Sequence, residues 1–257
     1  MAWAVGGLAT VACGRAVDEA DSGTTSGVDA ALPLEAGVDD TSVAEAAGPL
    51  DASRDVTLDG GSCPSDMVQL ARGTTAFCID RFEAPNVADA APLAFVTALE
   101  GDSWCTSRGK RLCDQDEWER ACKGPNLDHA YPYGSGDLVT PGTCNDDEAF
   151  VAPDDAVLAT YPSDAATAEA QRLYRGEPSG SRAGCVTPEG VFDLAGNVAE
   201  WVTRTKPSVS NYDQVIKGCA WSGCPGGQPA NCDFVNTAHP GTYRSYESGF
   251  RCCSSPR

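Results

Sequence analysis

Histidine is scarce in this sequence, and its scarcity excludes several kinds of site. The chain has two histidines among 257 residues, whereas cysteine occurs thirteen times. No two cysteines show the C-x-x-C spacing of a zinc cluster, so the sequence favours disulfide bonds over zinc binding. Because disulfides persist in oxidising compartments, the cysteine content predicts an extracytoplasmic protein.

Basic residues are also few, and they are almost absent from the first quarter of the chain. Lys and Arg total 18 against 37 Asp and Glu, a formal charge of −19 that argues against a nucleic-acid partner. Residues 18 to 59 include eleven acidic residues, one basic residue, Arg54, and no aromatic residue. This stretch therefore supplies −10 of the formal charge. A segment of this composition cannot bury a core. We therefore interpret 18–62 as an acidic disordered linker and 63–257 as the folded domain.

The N-terminal segment 1–17 has no long apolar run. Its apolar stretch, Met1 to Ala12, is too short to span a bilayer, and it leads through Thr10-Val-Ala to Cys13, as in the signal of a bacterial lipoprotein. No basic residue precedes Arg15, which is unusual for a signal peptide. Two interpretations stay open: lipidation of Cys13, or a stray cysteine in a truncated signal peptide. Both place the protein outside the cytoplasm, as a bacterial cell-envelope lipoprotein or a secreted protein, with membrane contact only through the anchor.

Local patterns predict a hairpin and two helices in the first half of the domain. Alternating residues at 67–71 and 75–80 indicate the hairpin. Apolar recurrence at Phe95, Leu99 and Trp104 predicts a helix within 91–108. A second helix should start after Asp114 as N-cap and end at Gly124.

The second half of the domain has less pattern. From residue 125 to 186 turn residues dominate, apart from a short helix predicted at 165–174, and so long an irregular region needs disulfides or ions to hold it. Strands are predicted at 215–221 and 249–253.

The stretch Gly190–Val202 has the densest chemistry in the chain. Asp193, Asn197 and Glu200 offer oxygen atoms, and two glycines allow the backbone to turn its carbonyl groups toward one point, which suits a hard cation such as calcium. The alternative is a turn-rich core segment in which Trp201 is buried.

Several blocks, taken together, resemble a known family. They are Gly109-Lys-Arg-Leu, Glu117-Trp-Glu, Gly190-Val-Phe-Asp-Leu-Ala-Gly-Asn-Val-Ala-Glu-Trp, Lys217-Gly-Cys-Ala-Trp and Gly249-Phe-Arg. In this order they are similar to the signature blocks of the formylglycine-generating enzyme family, the sulfatase-modifying factor domain. The resemblance implies an α+β, C-type-lectin-like fold with little regular secondary structure, short antiparallel strands, a few helices, disulfide bonds and bound calcium.

The resemblance also implies two disulfides, Cys105 with Cys252 and Cys122 with Cys232. Each closes a loop of more than a hundred residues, which in the chain-entropy model is worth roughly 4 to 5 kcal/mol. Position in the chain favours two further pairs: Cys63 with Cys78 across the hairpin, and Cys144 with Cys185 across the irregular region. The pairing of four cysteines stays open: Cys113, Cys219, Cys224 and Cys253.

Calcium ligands can be carried over from the family residue by residue. The first site would use the side chains of Asp193 and Glu200 and the carbonyl groups of Gly196 and Val198. The second site would use Asn145 and the carbonyl group of Asp146, with Asp154 or Asp155 as a further candidate. The expected role is structural.

The family's catalytic site is only half present. The enzymes oxidise a cysteine of a target sulfatase to formylglycine with copper and oxygen, through two cysteines five residues apart just after the strand that corresponds to 217–221. Here Cys224 lies within one residue of the first copper ligand, but the second position falls near Gln228. Cys219 is five residues from Cys224 and could form a substitute pair, although its register places it within the strand.

Other catalytic groups find little support in the sequence. His129 and His239 are far apart and fit surface or turn positions, and Ser222 has no visible base partner. The carboxylates between 114 and 119 fit a helix N-terminus, where they favour the helix dipole. Two tyrosine pairs in loops could line a groove: Tyr131 with Tyr133, and Tyr243 with Tyr246.

The sequence therefore predicts a calcium-stabilised, monomeric binding or accessory module that has lost the two-cysteine copper site. Its ligand would be a protein or a glycan. The alternatives are an active copper-dependent oxidase that uses Cys224 with Cys219, and a purely structural surface protein.

Overall fold

The computed structural model describes residues 61–134, 140–228 and 230–257, all of which lie within Arg54–Arg257. The lipidation of Cys13 and nearly all of the predicted linker fall outside these ranges. No helix in the described part of the chain has both the length and the apolar character needed to cross a membrane.

Regular structure is sparse and short. The strands are β1 Met67–Arg72, β2 Thr75–Asp80, β3 Arg111–Leu112, β4 Ala199–Thr203, β5 Gln214–Lys217, β6 Val235–Asn236, β7 Ser248–Phe250 and β8 Cys252–Ser254. The α-helices are α1 Ala98–Thr106, α2 Gln115–Lys123, α3 Asp155–Leu158 and α4 Asp164–Leu173, and a 3-10 turn covers Pro225–Gly227. The predicted α+β class, with few helices and short strands, is confirmed.

The strands form two four-stranded sheets. The first has the order β1-β2-β8-β3 and the second β6-β5-β4-β7. All pairs are antiparallel except β4 with β7, which is parallel. The predicted hairpin is confirmed as β1 and β2, with Met67 opposite Asp80 and a left-handed Gly73 in its turn.

The helix predicted within 91–108 is confirmed as α1, which is shorter than the stretch of apolar recurrence. It starts only after Thr97, whose side chain accepts a hydrogen bond from Glu100 N while the Glu100 carboxylate accepts one from Thr97 N. This capping box fixes the start of α1, and Phe95 before it has a left-handed backbone. The residues at 92–96 instead form a loop that lines a surface cavity.

The second helix agrees with its prediction. Asp114 is the N-cap, and its backbone N–H donates a hydrogen bond of 2.9 Å to the carboxylate of Glu117. Gly124 ends the helix. The buried face carries Trp118 and Cys122. The short helix predicted at 165–174 is confirmed as α4, which starts at the N-cap Ser163.

The two predicted C-terminal strands differ from the structure. The first stops at Lys217, because Gly218 adopts a left-handed backbone. The second is two strands, β7 and β8, which belong to different sheets and meet at Arg251. The turn at Arg251 places this side chain in the core, where it is fully buried.

Six disulfides join all twelve cysteines of the described residues. They are Cys63–Cys78, Cys105–Cys252, Cys113–Cys253, Cys122–Cys232, Cys144–Cys185 and Cys219–Cys224. The first, second, fourth and fifth are the pairs expected from the sequence, and the other two assign the four cysteines that it left open. A fold with this many disulfides is consistent with an extracytoplasmic protein.

Candidate functional site

The loop before β4 brings several polar side chains into the core. Asp193, Gly196 and Asn197 have left-handed backbones, so the chain turns repeatedly before it enters the strand. Glu200, in β4, accepts hydrogen bonds from Nε and Nη2 of Arg251 at 2.7 and 2.6 Å. It also accepts one from Nε1 of Trp118 at 2.8 Å. Both carboxylate oxygens of Glu200 are therefore bound by donors of the protein itself.

A second buried carboxylate, Glu83, supports the same loop. It accepts hydrogen bonds from Asn197 Nδ2 at 2.7 Å and from Val198 N at 3.0 Å. Burial raises the pKa of Glu83 well above its usual range, and the nearby carboxylates of Asp193 and Glu200 raise it further. Burial likewise raises the pKa of Asp193 to about 6. The carboxylates of Glu83, Asp193 and Glu200 thus lie close enough to the guanidinium of Arg251 to interact with its charge. Glu83 lies more than a hundred residues before this loop, so no local pattern in the sequence connects the two.

The first predicted calcium site does not fit this arrangement fully. Asp193, Gly196, Val198 and Glu200 do lie in one loop, but Arg251 and Trp118 occupy the oxygens of Glu200. Within the described ranges, no group of three or more His, Cys, Asp or Glu side chains is arranged to hold a metal ion. The guanidinium of Arg251 is bound to both carboxylate oxygens of Glu200, so a calcium ion would have to displace it in order to coordinate this side chain.

The second predicted calcium site fits better. The carbonyl oxygen of Asn145 accepts a hydrogen bond from Asn197 N at 2.7 Å, so this segment packs directly on the loop before β4. The side-chain Nδ2 of Asn145 donates hydrogen bonds to Asn197 Oδ1 and to the Arg175 carbonyl oxygen. The Oδ1 atom of Asn145 is buried and accepts no hydrogen bond. A buried acceptor without a donor costs free energy, and a cation would relieve that cost.

The two aspartates proposed for the second site lie elsewhere. Asp154 is the N-cap of α3, where its Oδ1 accepts from Val157 N at 3.1 Å. Asp155 is exposed at the start of α3 and lines a surface cavity. Of the second site, Asn145 and the adjacent Asp146 are therefore the residues that remain candidates.

Cys224, the cysteine nearest to the expected copper position, is joined to Cys219. Cys219 and Cys224 form a disulfide with Cα atoms 4.9 Å apart, and Cys232 is bonded to Cys122. In this state neither Cys219 nor Cys224 presents a thiolate. Cys219 lines a small cavity of about 140 Å³ together with His239, Tyr243 and Glu247.

Beside this cavity lies a larger depression, which we call the aromatic groove. It is lined by the rings of Phe95, Tyr161, Tyr243 and Tyr246, and its two parts have volumes of about 710 and 420 Å³. Phe95 and Tyr161 meet edge to face with their centroids 5.2 Å apart. Tyr243 and Tyr246 are the loop pair that the sequence suggested for a groove. In the other pair, the rings of Tyr131 and Tyr133 stack on each other, and neither residue lines any of these cavities.

Glu247 lines both the small cavity and the aromatic groove. Burial raises its pKa, although a hydrogen bond from Ser222 Oγ works in the opposite direction. Ser222 thus has a carboxylate partner that the sequence did not reveal. His239 stacks on the ring of Tyr243, with the ring centroids 3.8 Å apart.

The chain matches known proteins over most of its length. The family model of the sulfatase-modifying factor enzyme 1-like domain matches residues 52–256. A mouse (Mus musculus) protein named inactive C-alpha-formylglycine-generating enzyme 2 is 26% identical over 180 residues, which cover 64% of this chain and 49% of that protein. Its bovine (Bos taurus) counterpart is 26% identical over 168 residues, which cover 63% of this chain and 50% of that protein. The chain thus spans about half the length of these two relatives.

Solved structures give weaker similarity. The crystal structure of CarF has 13% identity and a TM-score of 0.48, covering 78% of this chain and 97% of its own. The structure of PvdO from Pseudomonas aeruginosa has 17% identity and a TM-score of 0.46, covering 70% of this chain and 80% of its own. The family model spans the folded domain and all the blocks noted in the sequence, and the chain belongs to the family of sulfatase-modifying factor enzyme 1-like domains.

Proposed function

We propose that this protein is a binding or accessory module of its family, without the copper oxidase activity. The observation that carries this proposal is the disulfide between Cys219 and Cys224. Copper(I) binding by the family requires two thiolates, and soft metals need such soft ligands. With Cys224 joined to Cys219 and Gln228 near the second position, the copper site has no thiolate to offer.

The aromatic groove supports a binding role. Its two parts share Phe95, Tyr161, Arg244 and Tyr246, so they form one elongated depression. Partly exposed aromatic rings with polar tips are typical of ligand-binding surfaces. The ligand would be a protein segment or a glycan. The two relatives named inactive agree with a non-catalytic role, though that name describes those proteins.

We further propose that calcium has a structural role at Asn145 and Asp146. The buried Oδ1 of Asn145 supplies an oxygen ligand without a competing donor, and oxygen atoms are the ligands that calcium prefers. An ion there would hold the irregular region against the loop before β4. A secreted protein or an envelope lipoprotein anchored at Cys13 would meet the calcium of an extracytoplasmic compartment.

A copper(I) competition titration on the full chain tests the proposal. The oxidised protein should show no stoichiometric binding to copper(I) in the presence of a chromophoric chelator. A variant with both Cys219→Ser and Cys224→Ser is the matched control, because it removes both sulfur atoms and leaves the other five disulfides. The same pair of proteins is incubated with a cysteine-containing peptide, oxygen and copper, and the peptide is analysed by mass spectrometry.

Tight binding of one copper(I) that is lost in the double variant would contradict the proposal. If it came with conversion of the peptide cysteine to an aldehyde, the protein would be the alternative, an oxidase that uses Cys219 and Cys224. Equal and weak binding by both proteins, with an unchanged peptide, would support the binding module.

A further inference from the structure

We propose that the larger part of the aromatic groove binds an organic cation, an alkylammonium or guanidinium group attached to an apolar body. The site, which we call the cation pocket, consists of Asp155, Tyr161, Tyr243, Tyr246 and Glu247. This inference rests on the binding function proposed above and adds the chemical class of the ligand.

Aromatic rings form the walls of the cation pocket. Tyr161 and Tyr243 are 42% and 38% exposed, while Tyr246 is buried. Arg244 covers one face of Tyr161 and His239 covers one face of Tyr243, so a ligand would meet the exposed remainder of each ring. The face of an aromatic ring carries partial negative charge and attracts cations within about 6 Å. These three tyrosines come from two separate segments of the chain.

Two carboxylates lie beside these rings. Asp155 is exposed at the first turn of α3, and Glu247 lies just before β7. Neither makes an ion pair with another residue of the described chain. Their charges affect both neighbouring phenols. The pKa of Tyr246 is raised to about 12, mainly by burial and then by the charges of Glu247, Tyr243 and Asp155. The pKa of Tyr243 is raised by burial and then by Asp155.

The cation already present in the groove is neutralised. The guanidinium of Arg244 forms an ion pair with Glu100 and donates a hydrogen bond to the carbonyl oxygen of Phe95. It lies over the ring of Tyr161, 3.9 Å from the centroid. Arg244 is therefore paired with Glu100 and not with Asp155 or Glu247.

The size and charge of the surroundings favour the same class of ligand. The domain at 63–257 has 26 acidic and 16 basic residues, a net charge of −10, which attracts cations over long range. The cation pocket, of about 710 Å³, opens into the more apolar part of about 420 Å³ lined by Leu93, Ala94 and Ala170. A charged head would lie between the carboxylates, and its apolar body would extend along the aromatic rings.

Binding of small probes to the full chain tests this inference. The charged probes are n-butylammonium and Nα-acetyl-lysine amide, and the neutral probes of matched shape are n-butanol and Nα-acetyl-norleucine amide. Affinities are measured by isothermal titration and by ligand-observed NMR. We expect each charged probe to bind at least about tenfold tighter than its neutral partner, a difference of about 1.4 kcal/mol.

The variants remove the two carboxylates without changing their shape. Asp155→Asn combined with Glu247→Gln should abolish the preference for the charged probes. The control, Asp128→Asn combined with Asp213→Asn, removes the same formal charge from exposed positions outside the cation pocket and should keep the preference. Should the first double variant fail to fold, Asp155→Asn alone carries the test, since this side chain is exposed.

Equal affinity for charged and neutral probes, or an unchanged preference in the Asp155 and Glu247 variant, would overturn the inference. If the lysine derivative binds tighter than n-butylammonium, the cation belongs to a polypeptide; if the two bind equally, a free amine suffices. Both of these outcomes support an organic cation. Because the probes are small molecules, copper binding in the titration above would refute the proposed function and leave this result standing.

Discussion

The guanidinium of Arg251 and the carboxylate of Glu200 form a fully buried, two-point ion pair, with nitrogen to oxygen distances of 2.7 and 2.6 Å. Arg251 lies between the last two strands, and Glu200 lies in β4 of the second sheet. Nη1 of Arg251 also donates to the Asp80 carbonyl at the end of β2, so the side chain bridges the two sheets.

Replacement of Arg251 by Met should destabilise the domain strongly. The change leaves Glu200 buried without its cation, beside two other buried carboxylates, and breaking a buried pair in this way costs about 3 to 5 kcal/mol. Urea unfolding with the disulfides intact measures the loss. The matched control is Arg72→Met, which removes an exposed pair with Asp116 and should cost less than about 1 kcal/mol. Similar losses in both variants would contradict the assigned role of Arg251.

The six disulfides should contribute unequally to stability. Cys105–Cys252 closes 147 residues and Cys219–Cys224 closes five. In the chain-entropy model these loops are worth about 5 and about 2 kcal/mol respectively. Paired Cys→Ser variants, compared by urea unfolding, should show the larger loss for Cys105 and Cys252. A larger loss for the short loop would mean that Cys219–Cys224 has a role in packing that loop length does not describe.

Glu247 should make stability depend on pH. Burial raises its pKa in the folded state, so the unfolded chain, with an ordinary glutamate near 4.3, releases this proton first. The unfolding free energy therefore falls as the pH rises from about 4 through the pKa of the folded state. In Glu247→Gln this fall should be smaller, whereas Glu148→Gln, at an exposed position, should keep it. Identical pH profiles for Glu247→Gln and the unmodified protein would count against a pKa of Glu247 that burial raises.

Calcium should raise the stability of the protein if Asn145 helps to bind it. A ligand at 100 times its Kd stabilises the folded state by about 2.7 kcal/mol, and this gain should disappear in Asn145→Ala. Thermal unfolding with calcium and with a chelator measures both effects. The control, Asn211→Ala, changes an exposed asparagine and should keep the full response. A chelator without effect on the unmodified protein would remove calcium from the proposal.

Features with local causes could be predicted from the sequence. Helix α2 follows from Asp114, Glu117 and Gly124, which lie within eleven residues, and the hairpin follows from alternation on either side of Gly73. The late start of α1, at Ala98, has a local explanation as well. Apolar recurrence suggested an earlier start, but the capping box of Thr97 and Glu100 outweighs it, and Leu99, one of the recurring residues, is exposed.

Features that depend on distant partners could not be predicted. The division of 249–253 into two strands requires knowing that β7 pairs with β4 and β8 with β2 and β3. The same holds for the candidate sites. The blocks that resemble the family include Asp193 and Glu200, so these residues could be identified from the sequence. Glu83 and the donors to Glu200 lie in remote segments of the chain. The cation pocket joins Asp155 to Glu247 across more than ninety residues, and nothing in the local pattern of either residue indicates the other.

The position of β8 in the first sheet determines when this protein can fold during its biosynthesis. β8 lies between β2 and β3, yet it is translated after every other strand. Until Cys252–Ser254 leaves the ribosome, the hairpin and β3 have no strand to join them, and Cys105 and Cys113 have no partners. The first sheet therefore stays incomplete until the C-terminal strand has been synthesised. Pairing of Cys252 with Cys105 and of Cys253 with Cys113 then ties β8 to α1 and to the residue that follows β3.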